Sequence, residues 1–255
     1  MTTEQTLKEY EELLVKRDQY YKEAASYQTV YISEFGELID ANFELKVACI
    51  KEKKTISYCR RRMNRGLAVD VARMQSEIEQ EMTLYYAQLS EMKRETAAAK
   101  EAKTVSEYQY SRSKKIYRRL AKKLHPDINA KTATTETLKD LWNRIVIAYH
   151  KSDPEALAEL EVLARAELEK LGDDGWEIAF DDIEERIERA EREINEILTT
   201  EPYTYRALLE DEEKKKAHRA ELEEEHEDLT RYLDDLRQTL EATLAEGGAK
   251  LVMSV

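Results

Sequence analysis

His125-Pro126-Asp127 sets an imidazole and a carboxylate on either side of a rigid ring, at the end of a run of basic side chains. Pro126 fixes its own backbone and pushes His125 out of helical geometry, so a preceding helix must stop there. His125 and Asp127 are then expected to point outward at a defined angle. Arg118, Arg119, Lys122 and Lys123, with Lys114 and Lys115, cover the solvent side of that helix. Taken alone, the three residues also suit an ordinary helix-ending turn. The basic face alone reads as a solvated helix surface or a phosphate-binding patch.

Other residues able to do chemistry form weaker patterns. Cys49 and Cys59 lie ten apart in a helix-favouring segment, about 15 Å along the axis, too far for an intrachain disulfide. No C-x-x-C pair suggests a thiolate zinc site. His218 and His226 are eight apart among glutamates, and their nearest atoms would diverge on a helix, so no metal is expected there. Arg60, Arg61, Arg62 and Arg65 form a second basic cluster, expected to pair with acidic residues of a neighbouring helix. Twelve of the fifteen tyrosines precede residue 155 and read as seam residues between helices.

The elements that must position these groups are helices. Only 6 glycines and 3 prolines occur among 255 residues, and 37% of the chain is charged. Such a composition favours long helices whose apolar residues line seams, and it leaves little for a large globular core. The expected fold is all-α, an elongated helical bundle or antiparallel coiled-coil arms flanking a small helical hairpin. Leu7, Tyr10, Leu14, Tyr21, Ala24 and Tyr31 share a face over about 4–33. Phe35, Leu38, Leu45, Cys49, Ile56, Cys59 and Met63 do so over about 35–64. Val71, Met74, Ile78, Tyr85, Leu89 and Met92 continue from about 67. Gly66 either marks a turn or is tolerated within one continuous helix.

Beyond residue 104 the texture changes. Lys103–Lys131 carries nine basic and two acidic residues. A break at His125–Thr134 precedes an apolar helix, Leu138–His150. Ser152-Asp153-Pro154-Glu155 then restarts a helix, with Asp153 to accept from the first free amides and Pro154 at the first helical position. That helix should end near Gly172, followed by an Asp173-Asp174-Gly175 turn. Two more helices are expected, about 176–199 and 204–245, the last with Leu222, Leu229, Leu233, Leu236, Leu240 and Leu244 on one face. The short connection between them implies an antiparallel hairpin. Three regions result: long helices over 1–103, a hairpin region over 104–171, and an acidic helical hairpin over 176–247.

The net charge of −13 hides an imbalance, net +5 over 1–154 and −18 over 155–255. The acidic half argues against general nucleic-acid binding, which needs a basic field. The N-terminus lacks a basic leader followed by an apolar run, and no segment approaches a membrane span. A cytoplasmic protein with no membrane contact is expected.

The segment Tyr117-Arg-Arg-Leu-Ala-Lys-Lys-Leu-His-Pro-Asp127 resembles the second helix and loop of J-domain (DnaJ-like) co-chaperones. Tyr117, Leu120 and Ala121 stand eight, five and four residues before the histidine, as in that family. Trp142, Ile145, Ala148 and Tyr149 match its third helix, and Ser152-Asp153-Pro154 commonly follows. The family's first helix with its Tyr-x-x-Leu-Gly signature is missing from Thr104–Arg112, Ser113 takes a position usually apolar, and Ile128 follows the aspartate where Lys or Arg is common. No glycine-rich linker or cysteine-repeat zinc module follows. The resemblance therefore covers roughly residues 113–154, with the end of the third long helix available to replace the missing one.

The resemblance implies that Tyr117, Leu120, Ala121 and Leu124 zip against Leu138, Trp142, Ile145 and Tyr149 in an antiparallel hairpin. It implies that the basic face docks on an acidic surface of a DnaK-class heat-shock chaperone and that the loop triggers ATP hydrolysis in that partner. Arg118 and Arg119, with Lys114, Lys122 and Lys123, would steer and position. Asp127 would pair with a basic residue of the partner, His125 and Pro126 would shape the contact, and Asn129 belongs to the same partner-facing set. No bond is broken at such a site and no cofactor or metal is called for, so an enzyme is not expected. The helical arms would select or scaffold a client, or bind a second copy. The competing expectation is a structural coiled-coil adapter with a non-activating hairpin. The acidic C-terminal segment could also fold back and mask the basic helix.

Overall fold

The computed structural model describes residues 3–102, 105–171, 183–246 and 251–252. The fold is all-α: among the described residues there are nine helices and one two-residue parallel pairing, β1 (Val69–Asp70) with β2 (Leu251–Val252). None of these helices is long and apolar enough to cross a membrane. The expected turn at 173–175 lies outside the described residues.

The chain divides into two units, 1–26 with 103–204, and 27–102 with 205–255. The three sequence regions are thus redistributed: the first and the third are each split between the units. Sequence periodicity shows which face of a helix is apolar, but not which distant face covers it.

In the first unit, the core joins α3 (Glu107–Leu124), α5 (Glu136–His150) and α6 (Pro154–Lys170) to Val15 of α1 (Thr3–Met63). Ile116, Tyr117, Leu120, Ala121 and Leu124 recur on one face of α3 and meet Leu138, Leu141, Trp142, Ile145 and Tyr149 of α5. Tyr117 stacks on Tyr149, ring centroids 3.9 Å apart, and His125 meets Trp142 edge-on at 5.0 Å. The pairing 117 with 149 and 125 with 142 runs in opposite directions, so α3 and α5 are antiparallel. Local chemistry sets the ends. A capping box between Ser106 and Gln109 starts α3. Asp153 accepts from the amides of Glu155 (3.1 Å) and Ala156 (2.9 Å), with Pro154 in the first turn of α6.

The place expected for the end of the third long helix is taken by the start of α1. Asp18 accepts from the Tyr117 hydroxyl at 2.6 Å, and the Lys22 ammonium sits 4.0 Å from the centre of the Tyr149 ring. The α7 helix (Ile183–Thr199) also belongs here, with Ala190 packed against Tyr10 and Leu14 of α1.

In the second unit, α1 continues without interruption past Gly36, where the sequence suggested two helices. A Cβ on Gly36 would lie 2.7 Å from Thr96 Oγ1 and 2.9 Å from Thr96 Cγ2 on α2 (Val71–Glu101). Gly36 therefore permits a close helix approach and does not break the helix. Gly66, at φ 67°, makes the turn. Ion pairs Lys93–Glu44 (2.7 Å) and Lys54–Glu81 set α1 and α2 antiparallel. Along α9 (Glu212–Glu246) the contacts Tyr31 with His218, Asn42 with Leu222 and Cys49 with Leu229 rise together, so α9 runs parallel to α1. The expected antiparallel pair of C-terminal helices does not form, because α7 buries its apolar face in the first unit. The expected single helix over 204–245 is also divided, into α8 (Tyr205–Leu209) and α9. Asp211 caps the second piece, accepting from the amides of Glu213 (3.0 Å) and Lys214 (3.2 Å). Of the leucine stripe, Leu233 is buried, Leu240 and Leu244 pack beside Tyr58 and Cys59, and Leu236 is half-buried.

Candidate functional site

The end of α3 builds the His125-Pro126-Asp127 loop from its own backbone. The His125 amide still bonds the Ala121 carbonyl (2.9 Å), and its carbonyl accepts the amides of Ile128 (2.9 Å) and Asn129 (2.7 Å). His125 Nδ1 accepts the Asp127 amide at 3.1 Å. That bond fixes the neutral tautomer, with the hydrogen on Nε2. Nε2 faces Asp18 Oδ2 at 3.7 Å and Arg17 Nη2 at 3.4 Å.

The imidazole is not presented outward. His125 is only 4% exposed, enclosed by Trp142, Arg17 and Asp18. Burial lowers its pKa, although Asp18 and Asp127 pull the other way. The hairpin pairs as expected, but α1 closes over its tip, and periodicity within α3 and α5 carries no trace of that contact. Pro126 is half-buried, and the Asp127 side chain stays 42% exposed while its Oδ2 lies 3.6 Å from Arg17 Nη2. The same guanidinium reaches Glu193 of α7 at 2.8 Å through Nη1. Ile128 is buried with Tyr10, Leu14 and Ala190, so α1 and α7 both border the loop. A cleft of about 510 Å³ opens among Arg17, Asp18, Tyr117, His125, Asp127 and Trp142.

Asn129 does not face outward either. Its side chain caps α4 (Ala130–Thr134), accepting the Lys131 amide at 3.0 Å, and donates to the Lys123 carbonyl at 2.8 Å. It is a buried staple between helix ends, the ordinary use of a capping asparagine.

The basic face is partly neutralised within the unit. Arg119 makes a two-pronged bond to Glu161 of α6, at 2.9 and 2.8 Å. Arg118 lies 3.4 Å from Glu12 and Lys122 3.4 Å from Glu11, both on α1. Lys115 and Lys123 are exposed and Lys114 is half-buried, and none of the three makes an ion pair among the described residues. The carboxylates on the basic helix thus come from α1 and α6. The described residues of 176–255 make no ion pair with it, and α7 instead reaches the loop through Arg17.

The hairpin core residues Tyr117, Leu120, Ala121, Leu124, Trp142, Ile145 and Tyr149 are all brought together in one cluster. Sequence reasoning missed Arg17, Asp18 and Glu193. Their only local signal was charge within an apolar-periodic segment, which a solvated helix shows equally.

The remaining chemical groups serve other ends in the second unit. Cys49 and Cys59 are free and buried. His218 Nε2 meets the Tyr31 hydroxyl at 3.0 Å, and His226 Nδ1 meets Asn42 Oδ1 at 2.9 Å. No cluster of metal-ligating side chains occurs among the described residues. Arg62 donates to the Ala68 carbonyl at 3.0 Å, while Arg60, Arg61 and Arg65 are exposed. None of these arginines pairs with a carboxylate of a neighbouring helix among the described residues, contrary to expectation, because the adjoining turn offers a carbonyl and no acid. Comparison with protein-family models, curated proteins and solved structures found no match.

Proposed function

We propose that this chain is a J-type co-chaperone that engages a DnaK-class ATPase through α3 and the His125-Pro126-Asp127 loop. The observation that carries the reading is the antiparallel clasp of α3 and α5, with Tyr117 stacked on Tyr149 and the loop at one end. From that clasp Asp127 reaches solvent, and Lys114, Lys115 and Lys123 leave positive charge for an acidic partner surface. The chemistry belongs to the partner: the loop supplies contacts and breaks no bond, so the chain itself is not an enzyme. The helices of the second unit would select or scaffold the client.

The burial of His125 favours a second reading, a structural adapter whose hairpin holds a bundle together without activating a chaperone. The two separate by ATPase stimulation of a purified DnaK-class chaperone at saturating co-chaperone. The first predicts stimulation that His125→Gln abolishes with unchanged helicity. Equal rates with wild type, with His125→Gln and without either would eliminate it and leave the adapter.

A further inference from the structure

We infer that the first turns of α1 act as an internal stand-in for the partner, with Arg17 occupying the place of the partner's cation against Asp127 and α7 holding it there. This inference rests on the co-chaperone reading above. A J-type loop and basic face need two things from a partner: carboxylates for the basic side chains and a cation for the aspartate. The α1 segment supplies both, with Glu12 on Arg118, Glu11 on Lys122, and Arg17 Nη2 3.6 Å from Asp127 Oδ2. Arg17 is the one Lys or Arg that pairs with Asp127 among the described residues, so a partner guanidinium would have to displace it. His125 is covered by the same side chain, Nη2 lying 3.4 Å from Nε2.

The arrangement is built to be released. Arg17 Nε is buried without a hydrogen-bond partner, so the guanidinium is held by its two terminal nitrogens only. Its shortest contact is to Glu193, at 2.8 Å. Glu193 stands one helical turn beyond Ala190, the α7 residue buried against Tyr10, Leu14 and Ile128. Moving α7 therefore loosens Arg17 and uncovers Ile128 together. Exchange of one guanidinium for another at Asp127 conserves charge pairing, which keeps the closed and open forms close in free energy.

The test uses the full chain and a purified DnaK-class chaperone, reading ATPase stimulation below saturation and the Kd for the ATP-bound partner. Arg17→Gln and Glu193→Gln should each raise stimulation and tighten binding by about fivefold or more, the low end of coupling between linked sites. Adding His125→Gln should return either variant to the basal rate. Glu193→Gln decides alone should Arg17→Gln fail to fold. If wild type stimulates in a His125-dependent way and neither variant exceeds it, the stand-in is overturned and the co-chaperone reading survives. If no variant stimulates or binds, both fall.

Discussion

Lys22 offers a direct test of how α1 is seated on the hairpin. Its side chain is 6% exposed, its ammonium has no hydrogen-bond partner, and it rests 4.0 Å from the Tyr149 ring centre and 4.9 Å from that of Tyr110. Burial, helped by the positive charge of Lys114, brings its pKa down from 10.5 to about 8. At about 1.4 kcal/mol per pH unit, that drop corresponds to about 3 kcal/mol of destabilisation at neutral pH. The two rings return about 1 kcal/mol by attracting the cation. Lys22→Met keeps the apolar stem and removes the charge, so the variant should be about 2 kcal/mol more stable at pH 7. The sign of the pH dependence follows. Between pH 8 and 10.5 the unfolded chain still binds the proton that the folded amine has released, so wild-type stability from this group rises with pH. The advantage of Lys22→Met should shrink by about 2 kcal/mol between pH 7 and 9.5. Urea titrations followed by tryptophan emission, with Trp142 in the same core, measure the difference. A variant less stable than wild type at pH 7, or an advantage unchanged at pH 9.5, would refute the argument.

Three further outcomes are expected. Gly36→Ala normally adds about 1 kcal/mol to a helix, but here its methyl meets Thr96 at 2.7 Å, so melting should show a net loss of about 1–2 kcal/mol that Thr96→Ala relieves. Ser113 is fully buried with Oγ unpartnered, so Ser113→Ala should raise stability by about 1 kcal/mol, read as a urea midpoint shift. His125 should titrate below 6.5 in an NMR pH series, because burial disfavours the imidazolium. The folded state then binds fewer protons than the unfolded chain, so this group's contribution to stability falls as pH drops below 6.5.

Much of the hairpin was legible because its determinants are local. The end of α3 follows from Pro126, the start of α6 from Asp153 and Pro154, and the buried stripes of α3 and α5 from three-four spacing. The break at Asp211 was equally local, an aspartate ahead of Glu-Glu, and was overlooked within a long charged helix. Gly36 misled for a different reason. A glycine in a helical pattern signals either a break or a close neighbour, and the neighbour, Thr96, is sixty residues away.

By itself the amino-acid order determined that the chain is helical, where several helices begin and end, and that α3 and α5 carry matching apolar faces. Only the tertiary structure decided what covers the loop. Arg17 and His125 stand 108 residues apart in the chain, and Arg17 and Glu193 stand 176 apart. A charged side chain on an amphipathic helix has the same local pattern whether it meets water or a distant carboxylate. Its fate is settled when apolar faces choose partners, and with it whether the imidazole of His125 faces solvent or the inside of the fold.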